Sequence, residues 1–214
     1  MTSSQNQITM LIAILTISFL LNSVLSPSIT YADSWDITQI VNIDDTMRLE
    51  QSNSNDSTQA INHINSNDIA STRQSVDLNN NSVTLKQIDS DQSQQALNLL
   101  SSEQIQDAIQ SSTGIRELDL HQNGGNANMQ AVNILESQGT VSGSQQLSAE
   151  VINFSQISGK DNIQAGNIGI GTQGDLTQNF TAKQVNIRID NTDGNAPVQA
   201  ANYINRSPLN TLSF

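Results

Sequence analysis

The sequence predicts an all-β fold: a β-solenoid of about four to five stacked rungs of roughly 35 residues, laced by Asn and Gln ladders and preceded by a signal helix. Three observations predict it. A Gln-Ala-x-Asn motif recurs five times at a near-constant step. A second Gln recurs in phase with the motif, and the stretches between them show strand alternation and no helical period.

The first column runs through Gln59 and Asn62, Gln95 and Asn98, Gln130 and Asn133, Gln164 and Asn167, and Gln199 and Asn202. The steps between its Gln residues are 36, 35, 34 and 35. The second column comprises Gln39, Gln74, Gln110, Gln145 and Gln178, with steps of 35, 36, 35 and 33. Behind it come the alternations SVTLKQI at 82–88, IRELDL at 115–120, AEVINFSQI at 149–157 and AKQVNIRI at 182–189. Turn formers close each repeat: Asp89-Ser90-Asp91, Gly124-Gly125-Asn126, Ser158-Gly159-Lys160 and Asp193-Gly194-Asn195. Each repeat therefore reads as two to four short strands joined by turns.

Stacking gives the Asn residues a purpose. Equivalent residues of stacked rungs sit about 4.8 Å apart along the axis. An isolated buried amide is costly, but one stacked on an identical amide donates and accepts along its column. The alternation is expected to put Ala, Asn and Ile or Leu of the motif on one face of the strand, and the amides to fix the register.

Composition supports this reading. The chain has 214 residues, of which 26 are Asn and 24 Gln, against four Phe, two Tyr and one Trp. So few large apolar groups leave two options, disorder or amide-stacked β-structure, and the period selects the second. There is no Cys, which excludes disulfides and thiolate metal sites. A net charge of −12 makes nucleic acid and anionic membranes poor partners.

Four segments follow. Residues 1–32 read as a secretory signal peptide, with the apolar run ITMLIAILTISFLL at 8–21, too short to span a bilayer, and cleavage after Ala32. An N-terminal half-repeat occupies 33–58, four repeats of about 35 residues fill 59–198, and a C-terminal half-repeat occupies 199–214. The chain is expected to be secreted to the extracellular space or cell surface.

Catalytic patterns are missing. His63 and His121 lack a Cys partner or an HExxH spacing, and neither a GxSxG elbow nor a phosphate-binding loop occurs. Asp44-Asp45, Asp89-Ser90-Asp91 and Asp190-Asn191-Thr192-Asp193 read as solvated turns rather than Ca²⁺ sites, so no metal or cofactor is expected. The strands are too short for a membrane barrel.

The fourth repeat, AGNIGIGTQGDLTQNFTAKQVNI at 165–187, resembles the repeats of the Fap functional amyloids of bacterial biofilms. Gly166, Asn167, Ile168, Gly169, Gly174, Asp175, Gln178 and Asn179 carry the likeness; the other repeats replace the first Gly by Ile61, Leu97, Val132 or Ala201. Curlins are similar in logic, with amide ladders in a solenoid of shorter repeat. The resemblance implies a non-enzymatic, exported subunit that polymerises head-to-tail with itself into fibres for adhesion and biofilm cohesion. Other fibre subunits and a secretion or nucleation factor are the further partners it implies; nucleic acid and small-molecule substrates are not expected. The rival expectation is a monomeric solenoid adhesin or binding module.

Overall fold

The computed structural model describes residues 36–190 and 198–206; the signal segment 1–32, the turn at 193–195 and the tail 207–214 lie outside the described residues. Among the described residues nine strands make one parallel sheet system: β1 (Asp36–Asn42), β2 (Met47–Ser52), β3 (Thr58–Ile88), β4 (Gln94–Asn123), β5 (Met129–Ser137), β6 (Val141–Ile157), β7 (Ile163–Ile170), β8 (Leu176–Asp190) and β9 (Val198–Asn205). No helix occurs among the described residues.

Every pairing joins one repeat to the next, in register. Gln39 pairs with Gln74, Gln74 with Gln110, Gln110 with Gln145 and Gln145 with Gln178. Gln59, Gln95, Gln130, Gln164 and Gln199 pair successively in the same way. The coil thus has five turns, each a second-column strand followed by a first-column strand. The described part of 33–58 (β1 and β2) lies on 71–88, and the described part of 199–214 lies on 163–170.

Each turn folds as two nested arches. In the third turn the inner arch, 129–137, buries both faces of its strand. Its concave side gathers Met129, Ala131 and Ile134, with Ile163, Ala165, Ile168 and Ile170 of the next turn. Gln94 of the preceding turn donates to Glu136, at the far end of this arch, at 2.9 Å. The outer arch, for example 105–123, wraps the convex side. Leu100, Ile105 and Ala108 pack in one limb, and Leu97, Ile115, Leu118 and Leu120 in the other.

The bend corrects one expectation. Ala and Asn of the motif do not share a face: Ala131 points into the arch, whereas Asn133 points out towards the outer strand, where it donates to Gln146 O at 3.0 Å. The strand turns a corner at the residue between them, where the ladder is interrupted (Ala131 and Asn133 pair with the next turn, Val132 does not), and simple alternation fails there.

Turn chemistry closes the repeats where the sequence suggests. Asn53, Asp89, Gly124 and Ser158 hold equivalent left-handed positions, and so do Asp56, Gln92, Ala127 and Asp161. The glycines of the fourth repeat answer a volume change in the fifth. A Cβ on Gly166 would meet the Phe180 ring at 2.6 Å, and one on Gly169 would meet Leu176 at 2.1 Å. The preceding turn has Val132 and Leu135 at those places, so bulk moves from the inner arch to the outer.

Candidate functional site

The expected site residues stand in three unbroken columns. In the second Gln column each Nε2 donates to the Oε1 of the preceding turn: Gln74 to Gln39 at 3.0 Å, Gln110 to Gln74 at 2.8 Å, Gln145 to Gln110 at 2.9 Å and Gln178 to Gln145 at 2.7 Å. The first Gln column repeats this. Gln95 donates to Gln59, Gln130 to Gln95, Gln164 to Gln130 and Gln199 to Gln164, at 2.7, 2.8, 2.7 and 2.8 Å.

The Asn column points the other way. Asn62 donates to Asn98, Asn98 to Asn133, Asn133 to Asn167 and Asn167 to Asn202, at 2.8, 2.8, 2.7 and 2.8 Å. Gln amides hand their proton towards the N-terminal end of the coil; Asn amides hand theirs towards the C-terminal end.

The second proton of each amide decides its direction. Gln110 Nε2 also faces Ile134 O at 2.9 Å, and Gln145 Nε2 faces Ile168 O at 2.9 Å. Asn98 Nδ2 also faces Ser111 O at 3.2 Å, and Asn167 Nδ2 faces Asn179 O at 3.1 Å. Turning any amide over would set two oxygens against each other inside a buried column. Gln74, Gln95, Gln110, Gln130, Gln145, Gln164, Asn98, Asn133 and Asn167 are fully buried, so water cannot relieve that mismatch.

A third Gln column went unread in the sequence. Gln51, Gln87, Gln122 and Gln156 are in register, and Gln87 donates to Gln51 and Gln122 to Gln87, each at 2.9 Å. Its steps of 36, 35 and 34 match the other columns, so a search of every Gln at that spacing would have found it. A shorter ladder caps the turns. Ser93 N donates to Asn128 Oδ1 at 3.0 Å, and Asn128 N to Asn162 Oδ1 at 2.9 Å.

The third column is broken. Gln156 is buried, yet both its amide atoms lack a hydrogen-bond partner, and so does Gln122 Oε1 beneath it. Its neighbour in the last turn is Ile189, which offers neither donor nor acceptor.

The coil ends in two different faces. At the N-terminal end the outermost strands are β1, β2 and 58–66 of β3; at the C-terminal end they are β8 and β9. On the C-terminal face Val185, Ile187, Ile189 and Ile204 are exposed, and Ile187 is 60% exposed although the equivalent Phe154, Leu120 and Leu85 are buried. Val185 and Ile187 therefore occupy apolar core positions, equivalent to Ile152 and Phe154, that no further turn of the described residues covers.

Among the described residues burial perturbs three titratable groups of the coil, Glu136, His63 and His121, the last of which it lowers. Burial raises the Glu136 carboxyl, with the Gln94 hydrogen bond offsetting it in part. Burial lowers His63, the N-terminal end of a column that runs through Leu99, Ile134 and Ile168 to Tyr203. Near Glu136 lies a small polar groove of about 170 Å³ lined by Asn65, Asn67, Ser101, Ser102, Glu103 and Gln138. No group of three or more metal-ligating side chains occurs among the described residues. Comparison with protein-family models, with curated proteins and with solved structures gives no match.

Proposed function

We propose that this chain is a secreted structural subunit that polymerises head-to-tail into amyloid-like extracellular fibres for biofilm matrix and adhesion. The observation that carries the reading is the pair of coil ends. Among the described residues each outermost strand is a copy of an internal strand, in register with it, and is paired on one side only. Unpaired edges template further pairing, and a solenoid whose ends match its interior extends by adding a copy. Such a contact is heterologous and does not close, so it produces a filament.

The resemblance of 165–187 to Fap repeats supports the same reading, and the signal-like residues 1–32 supply the export it needs. The amide ladders supply cohesion that does not depend on a large apolar core, as a matrix fibre requires.

Fibre diffraction of the exported chain tests the proposal. Aged filaments are expected to give a meridional reflection near 4.8 Å. A scattering profile that stays monomeric at all concentrations would refute it and leave the solenoid as a binding module.

A further inference from the structure

We infer that the junction between two copies is keyed by the polarity of the ladders, so that the C-terminal face of one subunit accepts only the N-terminal face of another. The inference rests on the fibre reading and specifies its contact surface.

The ladders leave complementary remainders at the two ends. On the C-terminal face Gln178 Oε1 and Gln199 Oε1 are shielded from solvent and have no partner. Asn202 Nδ2 has used one proton, on Gln178 O at 3.3 Å, and has one left. That face offers two acceptors and one donor. On the N-terminal face the signs are reversed. Gln59 Nε2 makes no hydrogen bond among the described residues, and Gln39 Nε2 makes a single long one, to His63 O at 3.4 Å. Asn62 Nδ2 donates to Asn98 Oδ1 and Ser75 O, and Asn62 Oδ1 accepts nothing among the described residues.

Continuing the internal register by one turn places Gln39 of the next copy on Gln178, Gln59 on Gln199 and Asn62 on Asn202. All three columns then meet donor to acceptor. Two like faces would meet donor to donor or acceptor to acceptor, which buries unmade hydrogen bonds. The third column stays out of the key. Gln51 already donates to Ser57 O at 3.4 Å, and the residue that would stand over it is Ile189.

Charge and apolar surface agree with this direction. Among the described residues the first turn carries Asp44, Asp45, Glu50 and Asp56 against Arg48; the last has Asp175 and Asp190 against Lys183, Arg188 and Arg206. The register sets Arg188 over Glu50, on the side opposite the Lys86 ammonium, which lies 3.5 Å from Glu50. It also covers the exposed Ile187 and Val185 with Leu49 and Met47.

Gln59→Glu isolates the key. The carboxylate still accepts from Gln95, so the internal ladder survives, but the outward donor becomes an acceptor facing Gln199 Oε1. Asn53→Asp, in the exposed turn of the same end, adds the same charge off the columns. Seeded elongation at pH 7 is expected to fall at least about tenfold for Gln59→Glu and less than about twofold for Asn53→Asp. At a pH low enough to protonate the introduced carboxylate, the Gln59→Glu variant regains an O–H donor, and the two rates are expected to converge. Asn202→Asp makes the reciprocal change on the other face and is expected to slow growth in the same way.

Equal rates for the Gln59→Glu and Asn53→Asp variants, whether both fast or both slow, would overturn the key while leaving the fibre reading in place. Absence of filaments from the unaltered chain would remove the fibre reading and the junction with it.

Discussion

The second and third Gln columns are built of the same residue at the same spacing, yet they end differently. The second runs through five turns, with Gln39, Gln74, Gln110, Gln145 and Gln178 each bonded to the next. The third stops at Gln122, above which Gln156 is buried with both amide atoms unpaired. Two differences separate the cases: Gln156 and Gln122 are in register yet make no amide bond, and the last turn supplies Gln178 to one column but Ile189 to the other. An amide column is therefore worth only what its neighbours return. A buried Gln contributes cohesion when its amide is bonded along the column and is a defect when it is not.

The largest effect should come from breaking an intact column. Asn133→Leu keeps the size but strips partners from Asn98, Ser112, Asn167 and Gln146 O. Several buried polar groups left unpaired at once should cost about 3 kcal/mol, read from urea unfolding of the soluble subunit. A loss within about 0.5 kcal/mol, the level of an ordinary surface change, would mean the column carries no load.

The same substitution in the two Gln columns should have opposite signs. Gln145→Leu removes bonds to Gln110, Ile168 O and Gln178 and is expected to destabilise by about 2 kcal/mol. Gln156→Leu removes an amide that bonds nothing and should stabilise by about 1 kcal/mol. Losses of similar size from both would show that position, not partnering, sets the cost.

Repair is a smaller test. Ile189→Gln extends the third column into the last turn and gives Gln156 an amide to meet. We expect a gain of about 0.5–1 kcal/mol, limited because the site is half exposed. An Ile189→Leu variant, which restores no amide, should gain nothing.

Glu136 offers the smallest effect and a pH signature. Its folded carboxyl titrates above the ordinary range because it is buried, so ionised Glu136 disfavours the fold at neutral pH. For an acid raised in the folded state, the stabilising contribution is present below the unfolded pKa and is lost as pH rises through the folded one. Glu136→Gln keeps an acceptor for Gln94 and should therefore be the more stable at pH 7. The gap to the unaltered chain is expected to close as pH falls below about 4. A gap that persists in acid would assign the gain to packing instead of charge.

Columns are one-dimensional, which is why most of them were legible in the sequence. Gln59 to Gln199 and Gln39 to Gln178 announce themselves by a step of 33 to 36, and the structure places all of them in register. The Gln51 column has the same step but no motif around it, so only the pairing of β2 with β3 brings it out. Strand alternation failed inside the motif, because the corner between Ala131 and Asn133 sends the two side chains to opposite sides.

The sequence by itself determined the period, the all-β class, the stacking of like on like and the identity of the three motif columns, because such stacking leaves an arithmetic trace. Only the tertiary structure decided which way each ladder runs, that Gln156 is stranded beneath Ile189, and that Glu136 is buried opposite Gln94. The physical reason is the same in each case. An amide's direction is set by the backbone carbonyl that its second proton meets, and its value by what stands one turn away. Those neighbours come from other strands of the coil, as Ile134 O does for Gln110 and Gln146 O for Asn133, and arrive only when the nested arches close.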